Sequence, residues 1–117
     1  MTRGYRELRV WQDAKSIAVD VYRVTQTETW NRDWGLRDQI RRCAVSVPSN
    51  IAEGDARSSD RDSIRFFRIA LGSLAELETQ LQIASEIGYL DEPQLREFLQ
   101  RTEALGASVG SLIRSRS

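Results

Sequence analysis

Apolar residues recur along this chain at three- and four-residue spacings, and nowhere in the strict alternation of a strand. Trp11, Ala14, Ala18, Val21, Tyr22 and Thr25 form one such stripe, widened by Val10, Ile17 and Val24. This predicts a helix from about Leu8 to Thr27. The connection ETWNRDWG is polar apart from Trp30 and Trp34. Both are expected to pack down over one end of the core, because a large aromatic in a short connection gains most by burial.

A second helix is expected from near Gly35 to near Gly54, with Leu36, Ile40, Cys43, Ala44, Val47 and Ile51 on its apolar face. The segment RRCAVSVPSNIAEG carries Pro48 in its middle, and a proline normally ends or bends a helix. Ile51 nevertheless keeps the phase of the residues before it. One helix bent at Pro48 accounts for this, with Ser46, Ser49 and Asn50 bonding to the freed carbonyls. Asn50 falls beside the stripe and is expected to be partly buried. A polar cluster serving the bend is the simpler reading of Pro48, Ser49 and Asn50 than a catalytic one.

Ser59, with Asp62 three residues on, resembles a capping box and opens a third helix that runs to about Ile87. Its stripe is Phe66, Phe67, Ala70, Leu74, Leu77, Leu81 and Ala84. Gly72 lies on the outward face with Thr79 and Ile83, and a glycine there suggests close approach by another backbone. Gly88 ends the helix. Asp91 or Glu92 caps the fourth, with Pro93 in its first turn and Leu95, Phe98, Leu99, Thr102, Leu105, Val109 and Leu112 in phase.

Four amphipathic helices of about 20 residues with short connections predict an all-α fold. The architecture is an antiparallel up-down-up-down four-helix bundle with a proline-kinked second helix. The 117 residues suffice for one such domain, with 1–7 and 114–117 expected to be flexible.

Composition then removes whole classes of chemistry. The chain has no histidine and one cysteine, Cys43. Ser-His and Cys-His triads, internal disulfides and cysteine- or histidine-ligated metal sites are therefore excluded. No glycine-rich phosphate loop precedes a helix, and no basic-aromatic platform for single strands is visible. The expectation is a non-enzymatic protein without a cofactor. No apolar run approaches the ~20 residues of a membrane span, and MTRGYRELRV lacks the apolar core of a signal peptide. A cytoplasmic location with no membrane partner follows as the expectation.

Net charge is zero but unevenly spread. Residues 37–68 carry seven arginines and five acids, whereas 69–103 carry two arginines and seven acids. Arg61, Arg65 and Arg68 fall at i, i+4 and i+7 on the third helix, opposite its core stripe, with Arg57 just before them. Arg37 and Arg41 make a second i, i+4 pair. Such rows suit a phosphate backbone, so all six are candidates for nucleic-acid binding. The alternative is a solvated face paired with Asp38, Asp60 and Asp62. Small or uncharged outward residues point to self-association: Val45, Ser49 and Ala52 on the second helix, and Gly72, Thr79 and Ile83 on the third. A closed ring would repeat each arginine row into a basic belt.

The segments LRVWQDAKSIAVDVY, WGLRDQIRRCAVSVPSNIAEG and FFRIALGSLAELETQLQIASEIGYL together resemble the bacterial four helix bundle protein family. Its members include proteins encoded in the intervening sequences of 23S ribosomal RNA genes. The accessory variability determinant of diversity-generating retroelements is a more distant relative. The likeness spans about Leu8 to Leu112. Cys43 stands where the family usually has a small residue such as Ala, and Asp55 where an aromatic is frequent. The resemblance implies a four-helix bundle assembled as a ring-like homo-oligomer, often a pentamer. Through the retroelement relative it also implies a surface for nucleic acid and a nucleic-acid-associated protein partner. Only Arg37, Arg41 and Arg42 lie inside the shared pattern, where intersubunit ion pairs are the other role open to them. Two readings follow: an oligomeric bundle that binds structured RNA, and a protein-interaction scaffold ring with no nucleic-acid role.

Overall fold

Each apolar stripe faces the core, although Tyr22, expected on the first stripe, is 42% exposed because it lies at the edge of that face, and the ends of the helices are set by local chemistry. In the computed structural model, which describes residues 4–117, a 3₁₀ turn at Gly4–Glu7 leads into α1 (Arg9–Val24). The short α2 (Glu28–Arg32), α3 (Trp34–Ala56), α4 (Asp60–Glu86) and α5 (Glu92–Arg116) follow. No strand occurs among the described residues, and the fold is a helical bundle. None of these helices is long and apolar enough to cross a membrane. Of the N-terminal stretch expected to be flexible, residues 1–3 lie outside the described residues.

The core is one continuous cluster. Ala14, Ile17 and Val21 meet Ile40, Ala44, Val47 and Ile51, then Phe67, Leu74, Leu77 and Leu81, then Phe98, Leu105 and Val109. Side-chain contacts fix the registers. On α3 and α4, Ser46 Oγ lies 2.8 Å from Ser73 Oγ, and Gly54 sits against Phe67. On α4 and α5, Thr102 Oγ1 donates to Glu78 at 2.7 Å and Arg116 donates to Ser63. In both pairs, residue numbers rise on one helix as they fall on the other, so the two helices run antiparallel.

Caps explain the boundaries. Asp33 accepts from the Leu36 N–H and so starts α3, and Ser59 accepts from the Asp62 N–H to start α4. Asp91 and Gln94 exchange reciprocal bonds at the head of α5, a full capping box. Gly88, at φ +88°, closes α4: the Tyr89 N–H reaches the Ala84 carbonyl at 2.8 Å and the Gly88 N–H reaches Ser85. This is a Schellman ending, which needs a left-handed residue.

The structure departs from the sequence reading in three further places. The polar connection after α1 contains α2, which drops Trp30 into the core against Tyr89. Trp34, expected to share that role, is 66% exposed, because as the first residue of α3 it falls on the helix's outward side. The helix expected to end near Gly54 ends at Ala56. Gly54 lies within the last turn of α3, where its missing side chain leaves room for Phe67. The segment from 114 onward, expected to fray, is helical to Arg116, whose side chain is held by Asp55 and Ser63.

Pro48 is buried inside α3, which is assigned as a single helix from Trp34 to Ala56. Asn50, half-buried, donates through Nδ2 to both the carbonyl oxygen and Oγ of Ser46, at 2.8 and 3.0 Å. Ser46 Oγ in turn meets Ser73 on α4. The polar groups around the proline thus tie α3 to itself and to its neighbour. Ser49 points outward and is exposed.

Candidate nucleic-acid interface

The end of the bundle where α3 stops, α4 starts and α5 stops collects cationic side chains from all three helices. Phe66 organises two of them. The guanidinium carbons of Arg57 and Arg65 each lie 4.5 Å from its ring centroid, a cation–π distance. Arg57 also pairs with Glu53 at 2.7 Å, and Arg65 more loosely with Asp62 at 3.8 Å. Arg116 comes from the last turn of α5. It donates to Asp55 Oδ1 at 3.2 Å and Ser63 Oγ at 3.1 Å, and stacks on Phe67.

Arg61 and Arg68 differ from these. Both are exposed, and neither makes a hydrogen bond, ion pair or ring contact among the described residues. Arg61, Arg65, Arg68 and Arg116 line one open concavity, with Ile64 and Ile69 as its apolar walls and Asp62 as its acid. The row Arg61–Arg65–Arg68 rises ~10 Å along α4 at 1.5 Å per residue. Fully charged, weakly hydrated guanidiniums on a rigid helix can meet successive anionic oxygens without ordering a loop first.

Arg37 and Arg41 sit elsewhere, ~30 Å along α3 from Arg57. Arg41 donates from Nε to Thr25 Oγ1 at 2.8 Å and from Nη2 to the Thr25 carbonyl, and stacks over Tyr22. It thereby closes the C-terminus of α1, where a cation is favoured by the exposed carbonyls. Arg37 donates to Asn31 Oδ1 at 2.9 Å and Asp38 at 3.1 Å. The six arginines therefore fall into two groups at opposite ends of α3, and the Arg37 and Arg41 side chains are already engaged.

The six candidate interface residues also separate. Val45, Ser49 and Ala52 lie on the outward stripe of α3, with Ala52 half-buried. Gly72, Thr79 and Ile83 lie exposed on that of α4. Between the two stripes runs the α3–α4 seam, closed by Cys43, Ser46 and Ser73.

Arg116 was missed by the sequence reading, which let the chain fray there. Its placement depends on the antiparallel register of α5 against α4, which brings the end of one helix to the start of the other. The topology contained that signal, but the spacing of residues around Arg116 did not. Cys43 is buried in the seam: it donates to the Ser73 carbonyl at 3.0 Å, and burial, aided by the Glu76 charge, raises its pKa to about 11.

A family model described as 23S rRNA-intervening sequence protein matches residues 6–111. Among solved structures, the chain resembles a protein of unknown function from the S23 ribosomal protein family of Bacteroides thetaiotaomicron VPI-5482. That likeness has 23% identity and a TM-score of 0.81, and covers 89% of this chain and 97% of that one. At that identity it speaks for the fold alone. No curated relative matches the chain.

Proposed function

The chain belongs to the 23S rRNA-intervening sequence protein family, and from that premise we propose that it is a non-enzymatic, self-associating helical bundle that binds the phosphate backbone of structured RNA. The observation that carries this reading is the pair Arg61 and Arg68. They are exposed, free of partners among the described residues, and set in one concavity with Arg65 and Arg116. A solvated face would be expected to pair its arginines with Asp60 and Asp62. Only Arg65 does so, at a distance of 3.8 Å.

The proposed contacts are to phosphate, so binding is insensitive to base sequence and steep in salt. Arg57 and Arg116, each already paired with a carboxylate, position the site and add to its potential. Arg37 and Arg41 serve the fold on this reading. No cofactor is required, and the work is cytoplasmic. Assembly into a ring, a pentamer by family resemblance, would multiply the row into a belt.

The test is a titration of the pure protein with a structured ribosomal RNA fragment from low to physiological salt. About three phosphate contacts per subunit predict a log–log slope near −2 to −3 per bound subunit. Loss of binding in the Arg61→Ala, Arg65→Ala, Arg68→Ala triple variant locates the surface. Absence of binding at low salt would reject the reading. The second reading is a scaffold that meets only proteins. It draws on the exposed Val45, Ile69 and Ile83, which a solitary bundle leaves in water.

A further inference from the structure

Arg116, in the last turn of α5, presents the Nη1–Nη2 edge of its guanidinium to two oxygens. They are Ser63 Oγ at 3.1 Å and Asp55 Oδ1 at 3.2 Å. That edge is the fork with which an arginine grips two oxygens of one phosphate. Here one oxygen is anionic and the other neutral, and both belong to the protein. The guanidinium carbon lies 5.3 Å from the ring centroid of the fully buried Phe67, so an apolar surface backs it.

The pair is also well shielded. The side chains of Arg116 and Asp55 are 24% and 17% exposed, whereas the Arg57–Glu53 and Arg65–Asp62 pairs at the same end of the bundle are more open to water. Arg116 nevertheless lines the concavity with Arg61, Arg65 and Arg68. Three of these arginines stand on α4. The fourth comes from α5 and is held by a carboxylate of α3.

We propose that Arg116 is a fourth phosphate ligand of this concavity and that Asp55 withholds it, occupying the place of a phosphate in the free protein. Arg116 completes the site of the phosphate reading, on which this role rests, and Asp55 limits its strength. A phosphate that reaches the fork must displace the carboxylate, so one ionic contact is exchanged for another. The displaced Asp55, mostly buried, is left without its partner, which costs free energy. Binding therefore runs through the three arginines of α4 while Asp55 keeps its charge. Neutralising Asp55 removes the competitor and keeps the geometry, because an asparagine oxygen still accepts from Nη2. Ser63, fully buried, still accepts from Nη1.

A double-mutant cycle on RNA binding tests this in the full chain. The probe is the structured ribosomal RNA fragment, titrated at several salt concentrations. Asp55→Asn should tighten binding at low salt about three- to tenfold and steepen the log–log slope by about 0.7–0.9, the value of one added phosphate contact. In an Arg116→Ala background the same substitution should leave the slope unchanged, with a gain below about twofold. Loss of a negative charge raises the local potential in both backgrounds, so the difference between them isolates Arg116. Equal gains in the two backgrounds, or no gain from Asp55→Asn alone, would overturn the role of Arg116 and leave the phosphate reading standing. Absence of wild-type binding at low salt would reject both. A second readout needs no RNA. Trypsin cuts after Arg114 only when the last turn of α5 opens, so Asp55→Ala should speed that cut at least about fivefold. An unchanged rate would show that Asp55 does not hold Arg116, and would equally overturn its role.

Discussion

A methyl group at position 54 would stand 2.6 Å from Phe67 Cε1 and 3.0 Å from the Ser63 carbonyl oxygen. At position 72 it would meet nothing within 4 Å. Both glycines sit inside helices, where alanine is favoured by roughly 1 kcal/mol. The same substitution should therefore have opposite signs. Gly54→Ala is expected to lower stability by about 1–3 kcal/mol, since Phe67 is fully buried and Ser63 contributes backbone. Gly72→Ala should raise the stability of the single subunit by about 0.5–1 kcal/mol. Urea unfolding of both variants checks this, and equal shifts would refute the packing role given to Gly54. Cys43 makes a second prediction at this scale. With its pKa raised from 9.0 to about 11, the folded thiol at pH 8 should be alkylated on the order of 100-fold more slowly than the unfolded one. The sign of the linked stability follows: it is intact below pH 9 and is lost as pH rises from 9 through 11. A folded thiol that reacts as fast as the unfolded one would contradict its burial.

At the scale of the element, Pro48 poses the clearest question. Its ring removes the N–H that would bond to the Ala44 carbonyl, yet α3 continues for two further turns. Asn50 and Ser46 hold the helix there and Ser73 holds it from outside, so the element is supported by tertiary contact. Pro48→Ala should consequently stay folded. The regained hydrogen bond offsets the lost packing of a buried ring, giving a net change within about 2 kcal/mol by thermal unfolding. Collapse of the helical signal would show that the proline specifies the fold. This element also shows how far the sequence could be read. The phase of Ile51 carried the helix through the proline, because periodicity records which face meets the core. Periodicity could not separate Trp30 from Trp34, since the short α2 that buries one of them is too brief to show a stripe. Arg37/Arg41 and Arg61/Arg65 share one spacing, and only the fold tells them apart. Tyr22, Thr25 and Asn31 happen to lie within reach of the first pair, whereas Arg61 faces outward from the start of α4. Arg116 became visible only when α5 was laid against α4.

For the molecule as a whole, the seams between helices are unequal. The α3–α4 contact is the most extensive of the bundle and α1–α5 the sparsest of those between its long helices, in a body measuring 45 × 20 × 20 Å. The sparse seam is bridged by Arg101, which bonds Asp20 at 2.7 Å and Ser16 Oγ at 3.1 Å. Clefts open on both sides of that bridge, one over Val24 and Phe98 and one over Ile17 and Leu105. Local opening follows the least buried contact, so the free energy of opening should differ between helices within one cooperative domain. Amide hydrogen exchange is expected to be slowest in α3 and α4 and faster in α1. Arg101→Ala removes the bridge from a pair that is only partly buried. It should cost about 1 kcal/mol overall while speeding exchange in α1 roughly tenfold. The protection of α3 and α4 should change less, because their mutual contact does not pass through Arg101. Equal acceleration in all the long helices would mean that the bundle opens only as a unit. The α1–α5 seam would then be as strong as the others, despite its clefts.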